Sequence, residues 1–234
     1  MERDKLWDTA LVTGASRGLG RALALALARR GVRVATVARD RDALWAAARE
    51  IEDAGGAVTP IDGVVGDPRD VERIAADVHE RLGVLDLLVH NAAALGPTPL
   101  PLLLDLVPEA LLEVFQTNVI GLHRLSRRLV GPMALRGRGQ VVAVSSDAAV
   151  EAYPGWGAYG ASKAAQDHLM RTFDAELGEA GVRFLVVDPD EMDTAMHRAA
   201  LPDADPSTLR DPAEVAERIV ALLSRGPASG RVEV

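Results

Sequence analysis

Tyr159 and Lys163 stand four residues apart in "YGASK", a spacing that puts both side chains on one face of a helix, one turn apart. A tyrosine with its ordinary pKa near 10 is a poor acid or base at neutral pH, and a neighbouring ammonium favours its ionised form. Bringing the phenol ~2–3 units toward the working pH takes ~3–4 kcal/mol of differential stabilisation. Ser146 closes the apolar run "QVVAVSS", where a strand end delivers a hydroxyl into a crevice and lets it orient a substrate oxygen. Taken singly these residues also have plain structural uses: helix surface for Tyr159 and Lys163, a strand-end hydroxyl for Ser146, a helix cap for Asn118.

A second chemical stretch, "LVTGASRGLG" (11–20), reads in two ways. Gly14-Ala15-Ser16-Arg17-Gly18 fits G-x-S-x-G, the elbow that presents a nucleophilic serine in hydrolases. The same residues form a glycine loop that can wrap a phosphate against a helix N-terminus. The hydrolase reading needs an acid and a histidine at later strand ends, and of the five histidines only His197 follows a late strand in a suitable loop. An elbow also normally follows several strands. The loop is therefore read as holding a ligand, with Gly14, Gly18 and Gly20 serving the tight turn, close backbone approach and close helix packing.

The elements that would carry these residues alternate along the chain. Apolar runs at 9–13, 32–38, 57–65, 85–90, 140–146, 182–188 and 231–234 read as strands. Their hydrophobicity is continuous, as in strands buried on both faces of a parallel sheet. Helical patterns lie at 19–30, 41–54, 69–82, 108–135, 158–179 and 212–224, with Asp67-Pro68 and Asp211-Pro212 as start signals. The expectation is one α/β domain over 1–234, a doubly wound, mostly parallel, seven-stranded Rossmann-like sheet with helices on both faces and a short lid near 190–211.

With that frame, "TGASRGLG", "HNAA" (90–93), Asn118, Ser146 and "YGASK" fall in the order and spacing of the short-chain dehydrogenases/reductases, which this chain resembles over nearly its whole length. The resemblance implies an oxidoreductase moving a hydride between a nicotinamide cofactor and a carbonyl or secondary alcohol. Tyr159 would be the general acid/base, Ser146 would position the substrate oxygen, Lys163 would also grip the nicotinamide ribose, and Asn118 would hold a relay water. Gly14, Ser16, Arg17, Gly18, Leu19, Gly20, Asn91, Ala92, Pro189 and Thr194 would contact the cofactor. A chain that keeps the fold but serves as a weakly catalytic binding module remains an alternative.

Ala38 stands where NAD enzymes place an acid at the end of the second strand. Arg39 follows it and Arg17 lies in the glycine loop, so two guanidiniums favour a 2′-phosphate: NADP(H) over NAD(H). Asp40 reads as the cap of the next helix.

Three departures stand out. Val64 occupies the position of an adenine-contacting aspartate, with Asp62 two residues earlier on the same side of the strand. Ala93 replaces a glycine. Asp190 replaces a glycine in "VVDPDEMDT", either beside the nicotinamide or outward as a cap for "EMDTAMHRAA". The substrate wall is drawn from Leu95, Asp147, Ala148, Tyr153, Trp156, Met192 and Met196, a mostly apolar set.

Composition sets the outer limits. The 234 residues carry a net charge of −8 and are 48% hydrophobic, which disfavours a nucleic-acid footprint. The absence of cysteine excludes disulfides and thiolate metal sites, and no metal site is expected. No apolar run approaches the ~20 residues of a membrane span, and the charged start "MERDKLWDTALV" does not read as a signal peptide. A cytoplasmic protein is expected. Outward apolar residues on 108–135 and 158–179, the helices that pair in the family, predict a homodimer or homotetramer.

Overall fold

The computed structural model describes residues 6–234; the charged start of the chain, residues 1–5, lies outside the described residues. Seven strands form one all-parallel sheet in the order β3-β2-β1-β4-β5-β6-β7. They are β1 (Thr9–Thr13), β2 (Arg33–Ala38), β3 (Val58–Asp62), β4 (Leu87–His90), β5 (Gly139–Val144), β6 (Val182–Asp188) and β7 (Gly230–Glu233).

Side chains alternate between the two faces, and both faces are covered. In β5, Val142 and Val144 join one core while Val141 and Ala143 join the other; in β6, Leu185 and Val187 oppose Phe184 and Val186. This two-sided burial explains why the runs are continuously apolar. The first face is covered by α1 (Gly18–Arg29) through Leu19, Leu23 and Leu27, and by α8 (Pro212–Leu223) through Val215, Ile219 and Leu223. α3 (Pro68–Leu82) and α5 (Leu122–Arg136) cover the other, with Ile74, Val78, Leu125 and Met133 fully buried. Aspartate caps start α2 (Arg41–Asp53), α3 and α8, and Pro68 and Pro212 occupy first turns as expected.

Three elements differ from the sequence reading. The third strand stops at Asp62 instead of 65. The span 108–135 is divided into α4 (Pro108–Phe115), a π-helical segment Gln116–Gly121, and α5. The helix anticipated in "EMDTAMHRAA" is confined to its second half, α7 (Ala195–Ala200). α6 (Gly157–Leu177) carries none of the exposed large apolar residues; those of this region sit on α4 (Leu112), the π segment (Ile120) and α5 (Leu135). The outward apolar surface expected on 158–179 is limited to half-buried Leu169, Phe173 and Leu177 and the exposed Ala161 and Ala175.

Strand order reverses between β1 and β4, so the loops after these strands diverge and leave a crevice at the carboxyl ends. A cleft of about 1180 Å³ opens there.

Candidate active site

One end of the cleft is built by the β1–α1 loop. Gly14 and Gly18 have φ of 67° and 54°, and Gly20 has no room for a side chain: a Cβ would stand 2.3 Å from Asn91 Nδ2 and 2.4 Å from Gly14 O. Asn91 packs so closely because its amide braces the loop, donating to Thr13 O (2.9 Å) and Gly14 O (3.2 Å). Thr13 Oγ1 accepts from the backbone N–H of Asn91 and Ala92, locking the β4 loop to the same turn. α1 starts at Gly18 with no side-chain cap, so its first N–H groups and dipole face the cleft as an anion cradle. Gly14, Ser16, Arg17, Gly18, Leu19, Asn91 and Ala92 all line the cleft; Gly20 lies behind them. This constricted cradle fits a dinucleotide pyrophosphate.

Ala38, Arg39 and Val64 line the neighbouring wall. Asp40 caps α2, accepting from Ala43 N at 3.1 Å. Arg17 and Arg39 are exposed, and among the described residues neither forms an ion pair. Asp62 does not take the place left by Val64: it stays outside the cleft, its backbone carbonyl held by Arg73, while Val64, 43% exposed, faces in.

The opposite end holds the catalytic candidates. β5 ends at Val144, and Ser146 begins a 3₁₀ turn, Asp147–Ala149. Its hydroxyl donates to Asp147 Oδ1 (2.8 Å) and accepts from Ala148 N (3.2 Å). Tyr159 and Lys163 lie on α6, with the ammonium 5.6 Å from the phenol ring centre. Lys163 is 2% exposed and donates to Val144 O (2.7 Å) and Gln166 Oε1 (3.3 Å). Burial lowers its pKa to about 8, against Asp167 and Asp188, which support the charge.

The phenol departs from the sequence expectation of a lowered value. Burial, then the negative charges of Asp188, Asp147 and Asp167, push the Tyr159 pKa up, and only the Ser146 hydroxyl acts in the lowering direction.

Asn118 is not a helix cap. It sits inside the π segment, 1% exposed. Its amide accepts from Ala94 N (2.7 Å) and donates to Ala94 O (2.9 Å) and Ser162 Oγ (2.8 Å), stapling the β4 loop to α6.

Pro189 and Thr194 line the cleft, and Thr194 Cγ2 is 3.4 Å from where a Gly18 Cβ would stand, so the lid root faces the glycine loop. Asp190 adopts φ 61° and turns to Arg210, 3.1 Å away. It stands on the cleft rim and caps nothing in α7; Thr194 is that cap, accepting from His197 N at 3.2 Å. Trp156 stands edge-on to Tyr159 with ring centres 5.8 Å apart. Tyr153 donates to Asp147 Oδ2 (2.9 Å), and Met192 lines the lid side.

Sequence reading missed a buried charge cluster beside these residues. Arg231 of β7 reaches Asp188 Oδ2 (2.8 Å), Ser146 O (3.2 Å) and Asp167 Oδ2 (3.6 Å). One member was legible: Asp167 is four residues beyond Lys163 and so shares its helix face.

The nucleophile reading of Ser16 fails on geometry. The His197 ring nitrogens have no hydrogen-bond partner, and His90 Nε2 pairs with Ser126 Oγ at 2.9 Å. Burial drops the His90 pKa to about 3, with Lys163 adding to the effect.

Residues 8–205 match the short chain dehydrogenase family. The chain belongs to it. Among its relatives is the 1-deoxy-11-beta-hydroxypentalenate dehydrogenase of Streptomyces exfoliatus, 36% identical over 188 residues, covering 80% of this chain and 68% of that one. An uncharacterized NAD-dependent oxidoreductase of Mycobacterium tuberculosis is 35% identical over 202 residues, with coverages of 80% and 72%. Among solved structures, an alcohol dehydrogenase from Thermococcus sibiricus complexed with 5-hydroxy-NADP superposes with a TM-score of 0.87 at 31% identity, covering 97% of this chain and 95% of that one. Membership makes the chain an oxidoreductase of this family, acting on a small molecule. Among the described residues no helix is long and apolar enough to cross a membrane, and no cluster of side chains could hold a metal ion.

Proposed function

We propose that the chain interconverts a carbonyl and a secondary alcohol with NADP(H), using Tyr159 as general acid/base. The observation that carries this reading is the convergence of Tyr159, Ser146 and Lys163 on one end of a cleft whose other end is the glycine loop. The nicotinamide, when bound, supplies or accepts the hydride. The chain's own residues do the rest. Ser146 Oγ, now donating to Asp147, turns its proton to the substrate oxygen; Tyr159 gives its phenolic proton to that oxygen in reduction and takes it back in oxidation. Lys163, fixed on Val144 O, holds a positive charge beside the ring and stabilises the phenolate left behind. Trp156 and Met192 give the reacting carbon an apolar wall.

The choice of NADP(H) rests on Arg17 and Arg39, exposed and unpaired among the described residues beside a strand end that offers Ala38 instead of an acid. One charge-assisted contact is worth ~1.5–3 kcal/mol, so Arg39→Ala should weaken NADPH binding roughly 10- to 150-fold while changing NADH little. A loss below threefold in a fluorescence titration rejects the assignment. For the chemistry, Tyr159→Phe should lower turnover by at least ~10²-fold with NADPH affinity retained. Undiminished turnover removes Tyr159 from the mechanism.

A further inference from the structure

His197 faces the substrate half of the cleft and has no part in the chemistry above. Its place is fixed by α7: Thr194 accepts from its backbone N–H, and its neighbour Met196 packs against the cluster of Leu95, Ala148 and Tyr159. The helix therefore lies over the tyrosine, and the imidazole lines the cleft from the lid side.

The side chain is 11% exposed, and both ring nitrogens are shielded without a hydrogen-bond partner. The nearest acid, Glu191, is 3.8 Å from Nε2, beyond hydrogen-bond reach. His90 makes the contrast, since there a buried imidazole is given Ser126 as a partner. A buried polar group left unpaired weakens the fold, and such groups persist at functional sites. The surroundings define what would pair with it. Met192, Met196 and Trp156 make the wall apolar, while the Glu191 carboxylate stands 3.8 Å from the ring and Asp147 lines the same cleft. A carboxylate or phosphate would meet like charge there; a neutral oxygen would not.

We propose that His197 is a second polar anchor for the substrate, hydrogen-bonding an uncharged hydroxyl or carbonyl oxygen carried on an apolar frame beyond the reacting carbon. This rests on the oxidoreductase reading, which fixes the reacting end of the cleft.

The test compares the full chain with His197→Leu, by turnover and by thermal unfolding. The probes are a straight-chain methyl ketone and a series with the same chain carrying one further hydroxyl group at successive positions. The parent should favour the best hydroxylated ketone in kcat/KM by roughly tenfold or more, and His197→Leu should lose that preference while keeping plain-ketone turnover within about threefold. The leucine chain should also unfold about 2–4 °C higher, because it no longer buries an unpaired imidazole. An equal preference in both proteins, or a less stable leucine chain, overturns the proposal. If the parent reduces no ketone with either nicotinamide cofactor, the oxidoreductase reading has failed, and the unfolding comparison still judges the imidazole: a lower melting temperature rejects it.

Discussion

Tyr159 sits among charges that oppose one another. Lys163 is beside its ring, yet burial and the carboxylates of Asp188, Asp147 and Asp167 hold the phenol above its ordinary value. A raised pKa keeps the proton on the oxygen through neutral pH. Tyr159 is thus ready as an acid, and carbonyl reduction should vary little between about pH 6 and 7, below the Lys163 pKa of about 8, where the ammonium keeps its charge. Alcohol oxidation needs the phenolate, whose fraction grows about tenfold per pH unit below its pKa. Initial rates of oxidation should therefore climb steadily over the same range. An oxidation plateau that begins below pH 7 contradicts this electrostatic account. At this scale the sequence was informative about position and misleading about sign. The four-residue spacing located Tyr159 and Lys163, but the opposing carboxylates come from residues 147, 167 and 188 and meet the phenol only in the fold.

At the scale of elements, the π segment Gln116–Gly121 is the piece that completes the site. It turns Asn118 inward, where one amide satisfies both backbone groups of Ala94 and the Ser162 hydroxyl. Asn118→Ala strips partners from these shielded groups and should lower unfolding free energy by about 1–3 kcal/mol in urea denaturation. A loss below about 0.5 kcal/mol means the staple is not needed. An amphipathic pattern over 108–135 marks a helix but does not distinguish i→i+5 from i→i+4 pairing, so the segment was not legible in the sequence. β1 and β6 were legible to the residue, because Thr9–Thr13 and Val182–Asp188 are continuous apolar runs with clear breaks. α7 was legible as a helix within "EMDTAMHRAA" but not in its extent, because six residues give no helical period to fix the start. The Arg231 cluster was hidden for another reason: it joins the ends of β5, β6 and β7 to α6 across 85 residues of sequence.

At the scale of the whole molecule, the all-parallel order brings the β1, β4, β5 and β6 loops to one rim, and the cleft follows from the reversal between β1 and β4. The chain is acidic, with a net charge of −8, yet the glycine-loop end of the cleft presents Arg17 and Arg39. That local reversal of charge suits a phosphorylated ribose. The most direct measurement is thermal unfolding with excess NADPH and, in parallel, excess NADH. At 100 times the dissociation constant, ligand linkage gives about 2.7 kcal/mol, or roughly 5–10 °C for a chain of this size. The account predicts that shift with NADPH and a smaller one with NADH at equal concentration. No shift with either cofactor, or a larger one with NADH, contradicts it.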